Sequence, residues 1–411
     1  MMLDWLSQIA PGSNISLYAH IPFCRRLCWF CACRTQGSQT EAPLGPYVDA
    51  LEAEADIIAA ALPQGVRTSH LHLGGGTPTF LPPDLLRRLF AMLEARIPRA
   101  EGAEISVEVD PTELDDARLD ALADAGVTRA SLGVQDFDPK VQEAIGRIQS
   151  FEQTKAAVDG LRARGIRAIN LDLLYGLPHQ TRGSLTRTLD MALSLSPDRI
   201  ALYGYAHVPW ASKRQVMINE DDLPFGRARL ELSQHAAQRI LDAGYTPIGI
   251  DHFAKPGDMM AIAAGTGALR RNFQGYTTDA AQNLIGLGAS SISRLPQGYA
   301  QNAPATAAWK ARIETGRPAT VRGHADTGED VLRRAVIERL LCDFRIDPER
   351  FDDPALVASW IAGAAETWDG AVVLKENGAL EILPDARHLA RMIAMEFDGY
   401  AISAQRHSAA I

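Results

Sequence analysis

From residue 16 to 209 the chain alternates short apolar runs with longer amphipathic stretches. Apolar, β-rich runs stand at 17–23, 71–73, 105–109, 130–134, 169–174 and 200–205. Between them lie Ala-, Leu- and Glu/Arg-rich segments with apolar positions at helical spacing, as at 47–61, 84–95 and 181–193. Alternating strand and helix units imply a parallel sheet with helices outside it. Six units are three quarters of an eight-unit barrel, and an eight-unit length of about 250 residues scales to roughly 190. The pattern predicts an α/β fold, an incomplete (β/α)6 barrel, with an open doubly wound sheet as the alternative.

The second half reads differently. A helix is expected over 223–243, followed by motif-rich loops, PIGIDHFAKP and RRNFQGYTT. Beyond residue 322, helices at 330–342 and 356–366 precede a hairpin at 371–383, with Asn377-Gly378 as a two-residue turn signal. A last helix is expected over 387–396. The expected division is a short N-terminal segment at 1–15, a partial barrel with a substrate-side extension at 16–321, and a smaller, mostly helical, winged-helix-like domain at 322–411. DNA binding does not follow from that shape.

Composition narrows the function classes. Hydrophobic residues make up 46% and charged residues 22%, enough for a full core, and a net charge of -9 argues against a nucleic-acid partner. No apolar run approaches the roughly 20 residues needed to span a bilayer. Asp4 stands where a signal peptide would carry a basic residue, so the start predicts a cytoplasmic, reducing location.

The chemistry concentrates in HIPFCRRLCWFCAC, where Cys24, Cys28 and Cys31 form a CxxxCxxC spacing followed by Cys33. Three thiolates in one short loop can hold three corners of a [4Fe–4S] cluster and leave the fourth iron open to a small molecule. Radical S-adenosylmethionine (SAM) chemistry requires that arrangement. A structural zinc site is an alternative, but it draws paired ligands from separated elements, and no second Cys/His pair at ligand spacing is present. Buried or redox-active thiols are the third reading.

Polar and Gly-rich motifs follow each expected strand, where both barrels and open sheets place their sites. Gly74-Gly75-Gly76-Thr77 permits close approach of backbone to ligand, though a tight turn would read the same. Alternation turns Glu108 and Asp110 to one side of their strand, with valines opposite. Asp172 lies in the apolar run AINLDLLYG, where a carboxylate needs a partner. Gln135 follows the same logic. Arg147 suits a carboxylate partner or an ordinary helix surface equally. Tyr18 and His20 precede the cysteines and could pack on a cofactor, against a core role for His20. His252, Arg271, Gln274 and Tyr276 suit a lid or substrate wall, or loop packing.

With these residues in hand, the chain resembles the oxygen-independent coproporphyrinogen III oxidases. The resemblance runs from about Tyr18 to the C-terminus through YAHIPFCRRLCWFCAC, LHLGGGTPTF, EISVEVDP, SLGVQDF, NLDLLYGLPHQT, YAHVP, GIDHFAKP and RNFQGYTT. It implies one [4Fe–4S] cluster bound by Cys24, Cys28 and Cys31, with two SAM molecules beside it; Cys33 matches a cysteine that does not ligate. The first SAM would be held by Tyr18, Gly75, Glu108 and Ile292. The second would contact Phe30, Gly76, Thr77, Gln135, Arg147, Asp172 and Ala206.

The implied reaction turns two propionates of coproporphyrinogen III into vinyl groups, giving protoporphyrinogen IX, with the radical generated at cluster-bound SAM rather than at a protein residue. An electron donor of the flavodoxin or ferredoxin type and a monomeric state are implied as well. One departure stands out. Family members carry an N-terminal extension with a YTSYP-like stretch, and none of the 17 residues before Tyr18 matches it. The alternative is therefore a heme-binding or heme-modifying paralogue without that substrate arm.

Overall fold

The computed structural model describes residues 1–400; residues 401–411, part of the domain expected at 322–411, lie outside the described residues. Six strands, β1 (Asn14–Ile21), β2 (Arg67–Gly75), β3 (Arg99–Val109), β4 (Arg129–Gln135), β5 (Ala168–Tyr175) and β6 (Arg199–Gly204), lie parallel and side by side in chain order. Helices Leu44–Ala61, Pro83–Arg96, Asp116–Asp124, Phe151–Ala163, Arg182–Ser194 and Arg227–Asp242 follow them in turn. A doubly wound sheet reverses its strand order at a switch point. These six never reverse, so the sheet is the partial barrel.

The sheet extends further than six strands. β7 (Thr246–Ile248) and β8 (His252–Ala254) add to the far edge, with β8 antiparallel to β6. β9 (Leu284–Leu287) lies parallel to β1 and sets Gly286 opposite Tyr18. β10 (Ile292–Leu295), β11 (Gly298–Asn302) and β12 (Thr320–Ala325) continue antiparallel from β9. The boundaries expected at 15/16 and 321/322 thus fall inside β1 and β12. Strand pairing, invisible in composition, decides where the sheet stops.

Alternation along the parallel strands gives the sheet two unlike faces. Leu73, Val107, Leu132 and Leu171 are fully buried in the main apolar cluster, which also holds residues of the surrounding helices. Their neighbours Tyr18, His72, Ser106, Ser131 and Asn170 line an inner cavity instead. The concave side is polar.

One buried carboxylate pins the helix after β1 to the new edge. Glu54 accepts hydrogen bonds from Gly288 N–H (2.6 Å), Asn302 Nδ2 (2.7 Å) and Trp309 Nε1 (3.0 Å). Burial pushes its carboxyl up to about 7, against these three donors. The unfolded chain therefore releases this proton at lower pH than the folded one. Between the ordinary glutamate value, about 4.3, and about 7, this group makes stability fall as pH rises. Chemical denaturation across that window should show that slope in the wild type and lose one proton's worth of it in Glu54→Gln.

The C-terminal unit packs helices Gly328–Asp343 and Pro354–Thr367 on strands Arg345–Ile346, Val372–Leu374 and Leu380–Ile382, around its own apolar cluster of Val336, Leu340, Ile346, Val357 and Phe397. The hairpin turn differs from the expected two-residue form. Gly378 N–H donates to Lys375 O (2.9 Å) with Gly378 at φ +78°, which makes a three-residue loop closed by a left-handed glycine. The helix expected at 387–396 is broken into turns at Pro384–Leu389, Ala390–Ala394 and Met395–Phe397.

Candidate active site

The cysteine loop leaves the carboxyl end of β1 and arches over the barrel mouth. Cys28 is buried, Cys24 and Cys31 are half-buried and Cys33 is exposed. Cys24 stands beside Thr77 and within electrostatic range of Cys28 and Cys31. Burial pushes the Cys24 thiol up to about 11, while hydrogen bonding with Cys33 lowers Cys31. Arg147 lies under the loop, with NH1 3.5 Å from Cys28 Sγ and 3.1 Å from Asp110 Oδ2. Its NH2 donates to the Gly133 carbonyl at 2.7 Å.

Below the loop lies a cavity of about 650 Å³, within the range of small-molecule sites. Tyr18, Gly75, Glu108, Asp172 and Ile292 line it together with His20, Cys33 and Tyr203. The structure therefore gathers all four residues assigned to the first SAM on one wall. Of the second set, Asp172 lines the cavity. Gly76 and Thr77 instead donate N–H groups to the Ile21 and Phe23 carbonyls, both at 2.8 Å, next to the cysteine loop. Phe30 and Ala206 are tied there by Gln215, whose Nε2 donates to both carbonyls at 2.7 and 3.1 Å. Gln135 ends β4 at φ +68°.

The charge pattern is set by specific contacts. Burial alone would raise the Glu108 carboxyl, but hydrogen bonds from His72 Nε2 (3.3 Å) and Gly75 N–H (2.8 Å) outweigh it and hold it below the usual range. It presents an anion to the cavity. Asp172 accepts from Ser131 Oγ (2.9 Å) and Asn170 Nδ2 (2.8 Å), yet burial, with the Glu108 charge nearby, pushes it up to about 6. Burial pushes the His20 imidazole below its ordinary value. Its Nε2 donates to the Arg34 carbonyl (3.0 Å), which can only accept, and its Nδ1 lies 2.9 Å from the Tyr18 hydroxyl.

The opposite wall comes from the second half of the chain. The hairpin of Arg270–Asn272 and Gly275–Thr277 leans over the cavity, with Phe273 and Gln274 at its tip. His252 meets the ring of Tyr276 edge-on at 5.3 Å and lies 3.3 Å from the Tyr203 hydroxyl. Its Nδ1 is 2.7 Å from Asp251, which also pairs with Arg391 of the C-terminal unit.

These residues fit a cluster and SAM on three observations. The thiols sit in one loop and sense one another, but among the described residues no three Cys, His or carboxylate side chains converge on one metal-ion position. A cluster spreads its ligands over several irons. Buried Arg147 Nε and Asn170 Oδ1 lack hydrogen-bond partners. Gly75 lines the cavity, and at the Gly75–Gly76 cradle the backbone packs too closely for side chains: a Cβ on Gly75 would strike the His20 ring, and one on Gly76 would lie 2.6 Å from the Phe23 carbonyl oxygen.

The radical SAM superfamily description matches residues 18–192. The oxygen-independent coproporphyrinogen III oxidase of Paracoccus denitrificans is 56% identical over 99% of this chain and 91% of its own length. That of Escherichia coli is 39% identical over 95% of this chain and 86% of its own. The chain belongs to the oxygen-independent coproporphyrinogen III oxidases. A solved structure of the Escherichia coli coproporphyrinogen III oxidase, described as a radical SAM enzyme, superposes with a TM-score of 0.92 at 38% identity, over 97% of this chain and 93% of that one.

In this family member, Gly75 offers a direct test of the cradle. Its φ of +109° is strained for any side chain, and the added methyl meets His20. Gly75→Ala is expected to weaken SAM binding at least about tenfold, read by equilibrium dialysis, while the cluster still assembles. Sequence reasoning missed Ser106, Ser131, Asn170 and Tyr203 on the cavity wall. Strand alternation, applied to every strand as it was to β3, marks the first three.

Proposed function

We propose that this chain oxidatively decarboxylates two propionate side chains of coproporphyrinogen III to vinyl groups, giving protoporphyrinogen IX. The observation that carries the reading is one cavity with the cysteine loop and the Tyr18–Gly75–Glu108 wall on one side and the His252–Tyr276 wall on the other. When bound, a [4Fe–4S] cluster and SAM supply one-electron reduction and hydrogen abstraction from an unactivated carbon. Each propionate gives up one hydrogen atom, one carbon dioxide and one electron, the last to an acceptor.

The protein's part is to bind, orient and exclude water. Cys24, Cys28 and Cys31 hold the cluster. Tyr18, Gly75, Glu108 and Ile292 hold one SAM, with anionic Glu108 accepting hydrogen bonds from its hydroxyl or ammonium groups. Phe30, Gly76, Thr77, Gln135, Arg147, Asp172 and Ala206 hold the second. His252, fixed by Asp251, offers a donor to a substrate carboxylate, whereas Arg271, 4.8 Å from the centre of the Tyr276 ring, lines a separate pocket against the C-terminal unit. The barrel carries the site, and the C-terminal unit buttresses Asp251 through Arg391.

No helix among the described residues is long and apolar enough to cross a membrane. A reducing cytoplasm, a monomeric state and a one-electron carrier protein of the flavodoxin or ferredoxin type complete the reading. Anaerobic incubation of reconstituted enzyme with coproporphyrinogen III, SAM and a reductant is expected to yield protoporphyrinogen. SAM cleavage with the porphyrinogen untouched would reject the substrate and leave a radical enzyme.

A further inference from the structure

A second cavity lies behind the hairpin wall of the first. It measures about 460 Å³ and opens between the hairpin of Arg270–Asn272 and Gly275–Thr277, strands β10 and β11, and helix Gly328–Asp343 of the C-terminal unit. Asn272 and Phe273 line both spaces, so the hairpin tip is their partition. Strand β10 runs from one to the other. Ile292 lines the first cavity, and Arg294, two residues on and so on the same face, lines the second. Phe273, Tyr299, Ile337 and Leu341 make the apolar part of its wall.

The charges in this pocket are unevenly matched. Four carboxylates line it, and each has a partner of its own. Asp326 pairs with Arg334, and Asp330 accepts from the N–H and hydroxyl of Thr327 (2.7 and 2.8 Å). Glu338 accepts from the Arg271 backbone N–H (3.2 Å) and lies 3.7 Å from the Arg270 guanidinium. Asp398 accepts from the Tyr400 N–H (2.9 Å). Arg333 is taken by Glu329 outside the pocket, at 2.7 Å.

Arg271 and Arg294 are the exceptions. Among the described residues neither guanidinium has a hydrogen-bond or ion-pair partner, and both are half-buried. Arg271 is held by the Tyr276 ring, whose hydroxyl donates to the Leu341 carbonyl (2.7 Å). Its charge also reaches the first cavity: burial raises the Tyr203 phenol there, and Arg271 acts against that rise. A half-buried guanidinium without an acceptor is under-solvated, and a carboxylate ligand meets its fork of donors with two parallel hydrogen bonds.

We propose that this second pocket binds the two propionate carboxylates that the reaction leaves intact, through Arg271 and Arg294, with the macrocycle against Phe273 and Tyr299. The inference rests on the function proposed above. A space of about 650 Å³ is the scale of one drug-sized ligand. A tetrapyrrole that meets SAM there must therefore extend beyond it, and the second pocket adjoins it across the hairpin tip. Two of the substrate's four carboxylates are consumed, and the two free guanidiniums match the two that remain. Those groups are unchanged by turnover, so they anchor the macrocycle through both decarboxylations. The product presents them to the same pocket.

The test assays reconstituted enzyme anaerobically with coproporphyrinogen III and with its diester, methylated at the two propionates that are not decarboxylated. Arg271→Gln and Arg294→Gln are each expected to raise KM for coproporphyrinogen III about tenfold and to weaken inhibition by protoporphyrinogen IX in parallel. Cluster absorption and SAM affinity should match wild type. The diester is expected to lose at least about tenfold in kcat/KM with wild-type enzyme, but less than about twofold further with Arg271→Gln/Arg294→Gln, where its carboxylates have no partner left to lose. Losses that multiply in the double variant would mark a structural role and overturn the proposal, as would wild-type KM in both single variants. Either result leaves the decarboxylation by wild-type enzyme standing. Wild-type enzyme that cleaves SAM with coproporphyrinogen III untouched would reject the function instead, and this site with it.

Discussion

Cys28→Ala is expected to abolish the visible charge-transfer absorption of the reconstituted cluster and all SAM cleavage. On the proposed assignment the substitution removes one of three iron ligands, at a position where Cys28 is buried with Arg147 against its sulfur. Cys33→Ala is expected to keep the cluster absorption, because Cys24, Cys28 and Cys31 remain. Its effect should be confined to the cavity, which Cys33 lines, and to the loss of the side-chain hydrogen bond with Cys31, since the Cys33 backbone N–H still donates to Cys31 Sγ. Iron content and absorption of the two variants, prepared in parallel, check the assignment. Equal cluster loss in both would contradict the three-ligand reading.

Arg147→Met is the second large effect, and it acts first on stability. Arg147 is 7% exposed and bridges Asp110, Gly133 and Cys28. Removing one partner of a buried ion pair leaves an uncompensated charge, a cost of roughly 3 kcal/mol. Asp110 keeps its bonds from Thr112 N–H (3.0 Å) and Oγ1 (2.8 Å), which places the cost at the lower end. Denaturant titration of the cluster-free protein should show this loss. Lys155→Met breaks the solvent-exposed pair with Asp159 and should cost under about 0.5 kcal/mol. Arg147→Met is also expected to weaken SAM binding, since Nε is a buried donor without a protein partner.

The parallel half of the fold was legible because its strands and helices carry period-two and helical patterns over long stretches. The helices expected at 84–95 and 181–193 form at Pro83–Arg96 and Arg182–Ser194. The added edges were not legible. β9 is four residues, LIGL, with no alternation to distinguish it from a buried turn, and it pairs with β1 from some 270 positions away. Long-range pairing of short apolar segments leaves no local mark. The same holds for Gln215: it reads as one polar residue in a loop, and its role emerges when the Phe30 and Ala206 carbonyls converge on it.

The site divided along a similar line. Glu108 was legible from alternation in SVEVDP, whereas the partners that set its charge, His72 and the Gly75 N–H, come from the neighbouring strand through register. Asp172 was marked by its apolar surroundings, and its partners Ser131 and Asn170 are supplied by β4 and β5. Asp110 shares a strand end with Glu108 but not its role: it caps the short turn Pro111–Glu113 and pairs with Arg147.

The most direct test of the account follows hydrogen from substrate to cofactor. Coproporphyrinogen III deuterated at the propionate β-carbons is turned over anaerobically with SAM and a reductant, and the 5′-deoxyadenosine formed is weighed by mass spectrometry. The account predicts one deuterium in each 5′-deoxyadenosine and a matching yield of vinyl groups. Unlabelled 5′-deoxyadenosine, or label without decarboxylated product, would contradict it.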